Sequence, residues 1–357
     1  MKFLRLAFYV LIAQLVLSGC AGEAVEETSS SSSSEINFDA YVGRDASTRS
    51  SITDIDFLKR DLNPTFNAGF GVFAIYRHTD EAPLMLLNNE HVYWKNWKGD
   101  YSDWGYEHTR YWPSEGSVDF YAFAPHSDVP KLTGPNNFEI DFPSNMSPVD
   151  LVYAKAEGKT KTDNPVTFTF KHALARLSFD ITANQELLKD GAVITVKEVR
   201  LYGADETSGI FLMGGYLNLK TGVWRPYDNN GIRWFYTWTP TGKVDGKDDE
   251  QLKKDGPVYK LTASQLDDKT HSITNEADSY IFIIPQPKPA NFNLKIIYTV
   301  KQGDFQEDVT VKKDLLKVFP SGDDSKPFIE GGKAYVFHLK LLDPINFDVK
   351  AKVEDWK

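Results

Sequence analysis

Short runs of alternating apolar and polar residues recur along this 357-residue chain, with turn signals between them, and that spacing constrains the fold most. A period of two puts every second side chain on one face of a strand, so each run reads as a β-strand with one buried side. In the first half such runs fall at 69–76, 92–97, 118–124, 150–155, 166–170 and 172–182. Pro113, Pro125, Pro130, Pro143, Pro148 and Pro165 punctuate the connections, where a ladder has to stop. The second half continues at 194–202, 216–219, 223–224, 232–238, 280–284, 292–300, 305–311, 334–342 and the terminal strand. Lys220-Thr-Gly222, Asn229-Asn-Gly231 and Gln302-Gly303 carry the chemistry of hairpin turns. Long amphipathic helical patterns are nearly absent, and short helical turns are expected only at 184–191 and 315–318. The chain holds 23 Phe, 17 Tyr and 8 Trp, which suit pleated, half-buried surfaces. The class is all-β, and strands at this spacing argue for sandwiches and against βαβ units, with a boundary near residue 180.

The beginning of the chain reads as an export signal. Lys2 and Arg5 precede an apolar run at 6–17 and then Leu17-Ser-Gly-Cys20. That run is too short to span a bilayer comfortably, and a small-residue site follows it, so 1–19 reads as a cleaved signal. Cys20 is the only cysteine, which rules out an intrachain disulfide framework. Its setting resembles the bacterial lipobox, and the resemblance implies diacylglycerol on the thiol, cleavage before Cys20 and acylation of the new amine. Several acyl chains on one residue anchor far more firmly than one. Residues 20–35, with an unbroken serine run at 29–34, cannot bury apolar area and read as a flexible tether. The net charge of -10 argues against nucleic acid as a partner, because the phosphates would be repelled.

Two segments near opposite ends read almost alike: Ile36-Asn-Phe-Asp-Ala-Tyr-Val42 and Ile345-Asn-Phe-Asp-Val-Lys-Ala351. In register, Ile36, Phe38, Ala40 and Val42 match Ile345, Phe347, Val349 and Ala351 on the apolar face, which Val353 extends. One copy follows the tether and the other ends the chain. Strands able to fill the same slot can replace one another, and replacement between molecules builds a polymer.

Other constellations are weaker. The aromatic stretch containing Trp94, Trp97, Trp104, Tyr106 and Trp112 could stack on sugar rings, although Trp and Tyr at alternating positions more often fill sandwich cores. Histidines at 78, 91, 108, 126, 172, 271 and 338 lack metal-ligand spacing, and His172 reads as a hydrogen-bonded structural residue. The acidic stretch 245–250 lacks the positional pattern of a calcium loop and reads as a solvated turn. No nucleophile elbow, phosphate loop, dinucleotide fingerprint or zinc-protease motif occurs, so an enzyme is not expected, and neither a cofactor nor a metal.

Several segments, taken in order, carry a family likeness. The lipobox is followed by Arg49 in Ser-Thr-Arg-Ser, then Phe70-Gly-Val-Phe-Ala, Tyr111-Trp-Pro113 and Asp119-Phe-Tyr-Ala-Phe-Ala-Pro125. Asp150-Leu-Val-Tyr-Ala154, Phe170-Lys-His-Ala-Leu-Ala-Arg-Leu177 and Val353-Glu-Asp-Trp356 complete the set, which covers nearly the whole chain. In this order they resemble the fimbrillin family of Bacteroidetes, two-domain lipoprotein pilins. The resemblance implies two transthyretin-like β-sandwich domains in tandem, at 36–180 and 181–344. It implies a surface-exposed lipoprotein of the outer membrane, trimmed by an arginine-specific protease and joined to other fimbrial subunits in a fimbrium for adhesion and biofilm formation. On that pattern 36–49 is removed by a cut at Arg49 or Arg44, and 345–357 is the donated strand. Trp356 would either lock the donated strand or pack on its own domain. The alternative is a monomeric outer-membrane lipoprotein that binds glycans through Trp94, Trp97, Trp104 and Trp112.

Overall fold

Alternation gives way to continuous apolar sequence in two strands at the middle of the first half, and the reason is that both of their faces are covered. β2 (Phe70–Arg77) and β5 (Ser117–Ala124) bury nearly every residue. One face, with Phe70, Val72, Phe120 and Ala122, lines a first core. The other, with Phe73, Ile75, Tyr121 and Phe123, lines a second. The structure, a computed structural model, describes residues 34–42, 53–59, 68–97, 101–143, 149–212, 214–227, 233–244, 258–261, 264–267, 269–272, 281–319, 328–343 and 346–356.

The remaining strands of the first half are β1 (Phe38–Val42), β3 (Leu84–Trp97), β4 (Tyr101–Gly105), β6 (Glu139–Pro143), β7 (Val152–Lys159) and β8 (Val166–His172). A seven-stranded sheet runs in the order β1, β8, β7, β5, β2, β3, β4, and every one of its strands contributes side chains to the first core. β3 carries a bulge at Asn89, an extra residue between the pairs Val72 with Glu90 and Phe73 with Asn88. Its φ of 62° is a left-handed conformation that asparagine tolerates.

The second half begins with β9 (Ala175–Ala183) and β10 (Val193–Tyr202), followed by β11 (Phe211–Leu212), β12 (Gly214–Asn218), β13 (Trp224–Pro226), β14 (Arg233–Trp234) and β15 (Tyr236–Thr239). β16 (Val258–Lys260), β17 (Gln265–Leu266), β18 (His271–Ser272) and β19 (Ile281–Ile283) are short. β20 (Asn293–Gln302), β21 (Phe305–Asp314), β22 (Lys333–Asp343) and β23 (Asn346–Asp355) are long. One sheet has the order β16, β15, β10, β20, β21, with β17 also on β10. The other has the order β18, β9, β22, β23, with β19 also on β9. Between them Phe179, Ile181, Val199, Trp238, Tyr298, Phe337 and Leu339 form the third and largest core. Among the described residues helical structure is confined to single turns, including α1 (Ile55–Leu58), α2 (Gln185–Leu188) and a 3-10 turn at Leu315–Lys317. Among the described residues no helix is long and apolar enough to cross a membrane.

The fold is all-β, as the alternation predicts. Residues 34–357 form one unit. The change of sheet comes at Ala173 and Leu174, so the boundary expected near residue 180 falls inside β9, which pairs with β22 and not with β8. The halves are not separate bodies. β12, from the second half, pairs along β6 of the first from Gly214 with Pro143 to Asn218 with Glu139, and β13 extends that sheet. Leu217, Leu219 and Trp224 thereby enter the core under Phe73 and Tyr121, and the Trp224 indole N–H donates to the Ala173 carbonyl at 2.8 Å. Arg225 reaches Glu139 with two guanidinium nitrogens, and Lys220 meets Glu157 at 3.2 Å.

Candidate functional site

The slot of the first strand is an aromatic-lined groove. β1 runs parallel to β8, with Phe38 beside Val166, Ala40 beside Phe168 and Val42 beside Phe170. Ile36, Phe38 and Val42 are buried and Ala40 is half-buried, while Asp39 and Tyr41 face outward. The period of two fixed that face. Phe38 sits at the centre, with ring centroids 5.3 Å from Tyr106, 5.8 Å from Phe120 and 5.9 Å from Phe168.

Just before β1, polar contacts hold the chain on both sides. The Ile36 N–H donates to the Arg110 carbonyl and the Trp112 N–H to the Ser34 carbonyl, both at 2.8 Å. On the β8 side, the Asn37 N–H donates to Asn164 Oδ1 at 2.8 Å, and the Val166 N–H returns a bond to the Asn37 carbonyl. The Tyr106 hydroxyl donates to the Ile36 carbonyl at 2.8 Å and accepts from the Arg110 N–H. Burial raises its pKa above the usual phenol value, which keeps it a neutral donor. Sequence reasoning grouped Tyr106 with the aromatic stretch and passed over Asn164. Their only signals were an aromatic at an alternating position and an amide just before a strand.

The C-terminal strand lies at the edge of its sheet. β23 pairs antiparallel with β22 from Lys333 with Asp355 to Asp343 with Asn346. Val349 is buried, and Ala351 and Val353 pack partly against the third core, while Lys350, Lys352 and Glu354 are exposed. The strand ends on Trp356, whose N–H donates to the Gly332 carbonyl at 2.8 Å. Its indole lies flat on the His172 ring, centroids 3.9 Å apart and planes 6° apart, with Phe282 near-parallel at 5.4 Å. Within this chain Trp356 thus packs on His172 of β8 and on Phe282 of β19. His172 is hydrogen-bonded, with Nδ1 3.0 Å from Asp150 Oδ1.

Some expectations fall elsewhere. Cys20, Arg44, Arg49 and Ile345 lie outside the described residues, as do the acidic stretch 245–250 and the turn at 229–231; Phe347 is described only by its backbone pairing with Leu341. The glycan platform needs correction at two of its four residues. Trp104 and Trp112 are buried, packed edge-on against Phe70 and Phe120, so neither presents a ring face to a sugar. Trp94 is half-buried under Lys59, whose ammonium lies 3.9 Å from the ring centroid, and the Trp97 side chain lies outside the described residues. Among the described residues no group of three His, Cys, Asp or Glu side chains is gathered as metal ligands.

A fold of packed sheets whose first and last strands both lie at sheet edges defines an all-β protein, and comparison narrows the class. The fimbrillin-like family model matches residues 60–356, and the chain belongs to that family. The family is one of structural proteins, in line with the absence of enzyme motifs. No protein with a curated description matches the chain. A crystal structure of a fimbrial protein from Bacteroides vulgatus is similar at 20% identity, covering 90% of this chain and 99% of that one with a TM-score of 0.62. A candidate cell adhesion protein from Bacteroides uniformis aligns at 19% identity over 91% of this chain and 100% of its own, with a TM-score of 0.45. A C-terminally truncated tip fimbrial protein from Porphyromonas gingivalis aligns at 11% identity over 80% of this chain and 93% of its own, with a TM-score of 0.35. The fold argument rests on the first of these.

Proposed function

We propose that this chain is a structural subunit of a cell-surface fimbrium: exported, lipidated at Cys20, trimmed after Arg49 or Arg44, and polymerised by strand exchange for adhesion and biofilm formation. In this reading residues 1–19 are the signal and 20–35 the tether, and two sandwich domains meet at the change of sheet before β9. The observation that carries the reading is the slot of β1. It is an apolar groove at the edge of its sheet, filled by a strand whose next arginine, Arg44, is two residues past Val42. An emptied groove of this kind offers both an edge of unpaired backbone and holes for alternate side chains. The segment from Ile345 to Val353 carries Ile-Asn-Phe-Asp in the order that β1 presents, so Phe347 fits the hole of Phe38. Purified protein is treated with an arginine-specific protease and followed by N-terminal sequencing and size-exclusion chromatography. Loss of the chain up to Arg44 or Arg49 with concentration-dependent oligomers is expected, and clipped monomer at every concentration overturns the proposal.

A further inference from the structure

A line of buried contacts runs from the segment just past the arginines to the last turn of the chain. Thr53 donates its N–H to Asp150 Oδ2 at 2.8 Å and its hydroxyl to the Asp150 carbonyl. Asp150 is wholly buried, and its other carboxylate oxygen holds the His172 ring on which the Trp356 indole lies. In the other direction, Thr53 leads into α1, capped by the Asp54 side chain accepting from the Phe57 N–H at 2.6 Å. Leu58 of that turn is buried in the first core, with Ile55 and Phe57 leaning on it, and this is the core that Ile36, Phe38 and Val42 complete.

A buried carboxylate with both oxygens engaged cannot lose one partner and keep the other unchanged. The freed oxygen is left without compensation, so the side chain turns or water enters, and the ring that it held moves as well. We propose that these contacts form a latch. A filled first-strand slot holds residues 53–59, which hold Asp150, which sets His172 flat against Trp356, so the C-terminal strand stays on β22. An empty slot loosens the segment at 53–59 and with it the grip on Trp356. The latch rests on the strand-exchange reading and adds regulation to it: the untrimmed subunit keeps its C-terminal strand at home, and trimming releases that strand for donation. The coupling is reciprocal, so release of Trp356 also loosens the slot.

Hydrogen exchange followed by mass spectrometry on the full, uncut chain tests this without protease or polymer. The readout is exchange of β23 amides relative to β10 amides. Phe38→Ala hollows the slot, and Thr53→Ala breaks the link at its first bond. Each is expected to speed β23 at least tenfold more than β10. In a His172→Phe background, which keeps a flat ring under the indole but cuts the tie to Asp150, Phe38→Ala should leave the ratio unchanged. A ratio unmoved by Thr53→Ala overturns the latch, as does one that moves equally with and without His172→Phe. If Phe38→Ala does not fold, Thr53→Ala alone decides. Failure here leaves strand exchange standing, since protease-induced oligomers judge that separately.

Discussion

At the scale of single residues, His126 stands out because its side chain is 1% exposed and neither ring nitrogen has a hydrogen-bond partner. It stacks on His91, centroids 3.9 Å apart. Burial, and secondarily His91, lower its pKa to about 4, with Lys131 adding to the effect and Asp128 opposing it. Because the folded value is below the unfolded value near 6.5, the unfolded chain takes up a proton first as pH falls. Stability is therefore full above about pH 6.5 and is lost progressively toward pH 4, by up to about 3 kcal/mol from this group. Urea titrations at pH 7 and pH 4.5 should show a smaller drop for His126→Phe than for the parent chain, and equal drops would refute the assignment. Phe38 belongs to the same scale. Surrounded by three rings, it should cost about 3 to 4 kcal/mol on replacement by Ala, read as a shift of the urea midpoint at constant slope.

Among elements, the hairpin of β12 and β13 depends on one glycine. Gly222 has a φ of 75°, and a Cβ there would lie 1.9 Å from the Tyr153 hydroxyl. Gly222→Ala should destabilise by about 1 to 2 kcal/mol from the backbone alone, with further loss as the hairpin lifts off β7, visible as faster exchange of β12 amides. The turn itself was legible, as was the turn at Gly303 between β20 and β21, because glycine in a short polar break between alternating runs has few other uses. Strand positions were legible for the same reason, and so were the buried faces of β1 and of the end of β23. Missing from the sequence reading were β4, β6, the short β11, β16, β17 and β18, α1 and the first part of β3. In β3 the bulge at Asn89 interrupts the alternation, and β6 offers only Ile140 and Phe142 as apolar markers. Partners were not legible either. A period of two says which side of a strand is buried but not which strand lies beside it, so the parallel pairing of β1 with β8, the junction of β6 with β12 and the contact of Trp356 with His172 came only from the fold.

For the whole molecule, both ends of the chain act on cores that they complete but do not build. Removal of residues 345–357 uncovers the edge of β22 and the places of Val349 and Trp356, while the rest of both facing sheets remains. Such a truncated chain should fold with a lowered melting temperature and still be cut by an arginine-specific protease, yet form no detergent-resistant ladders on gels. Undiminished ladders would show that the strand is not the donor. The shared sheet of β6, β12 and β13 has a mechanical consequence. Bending the molecule at Ala173 and Leu174 requires five residue pairs and a buried tryptophan to shear past one another, so the hinge that a two-part chain would otherwise have is splinted. In a filament of such units, compliance would fall to the joints between subunits, and the fibre would flex like a chain of stiff links.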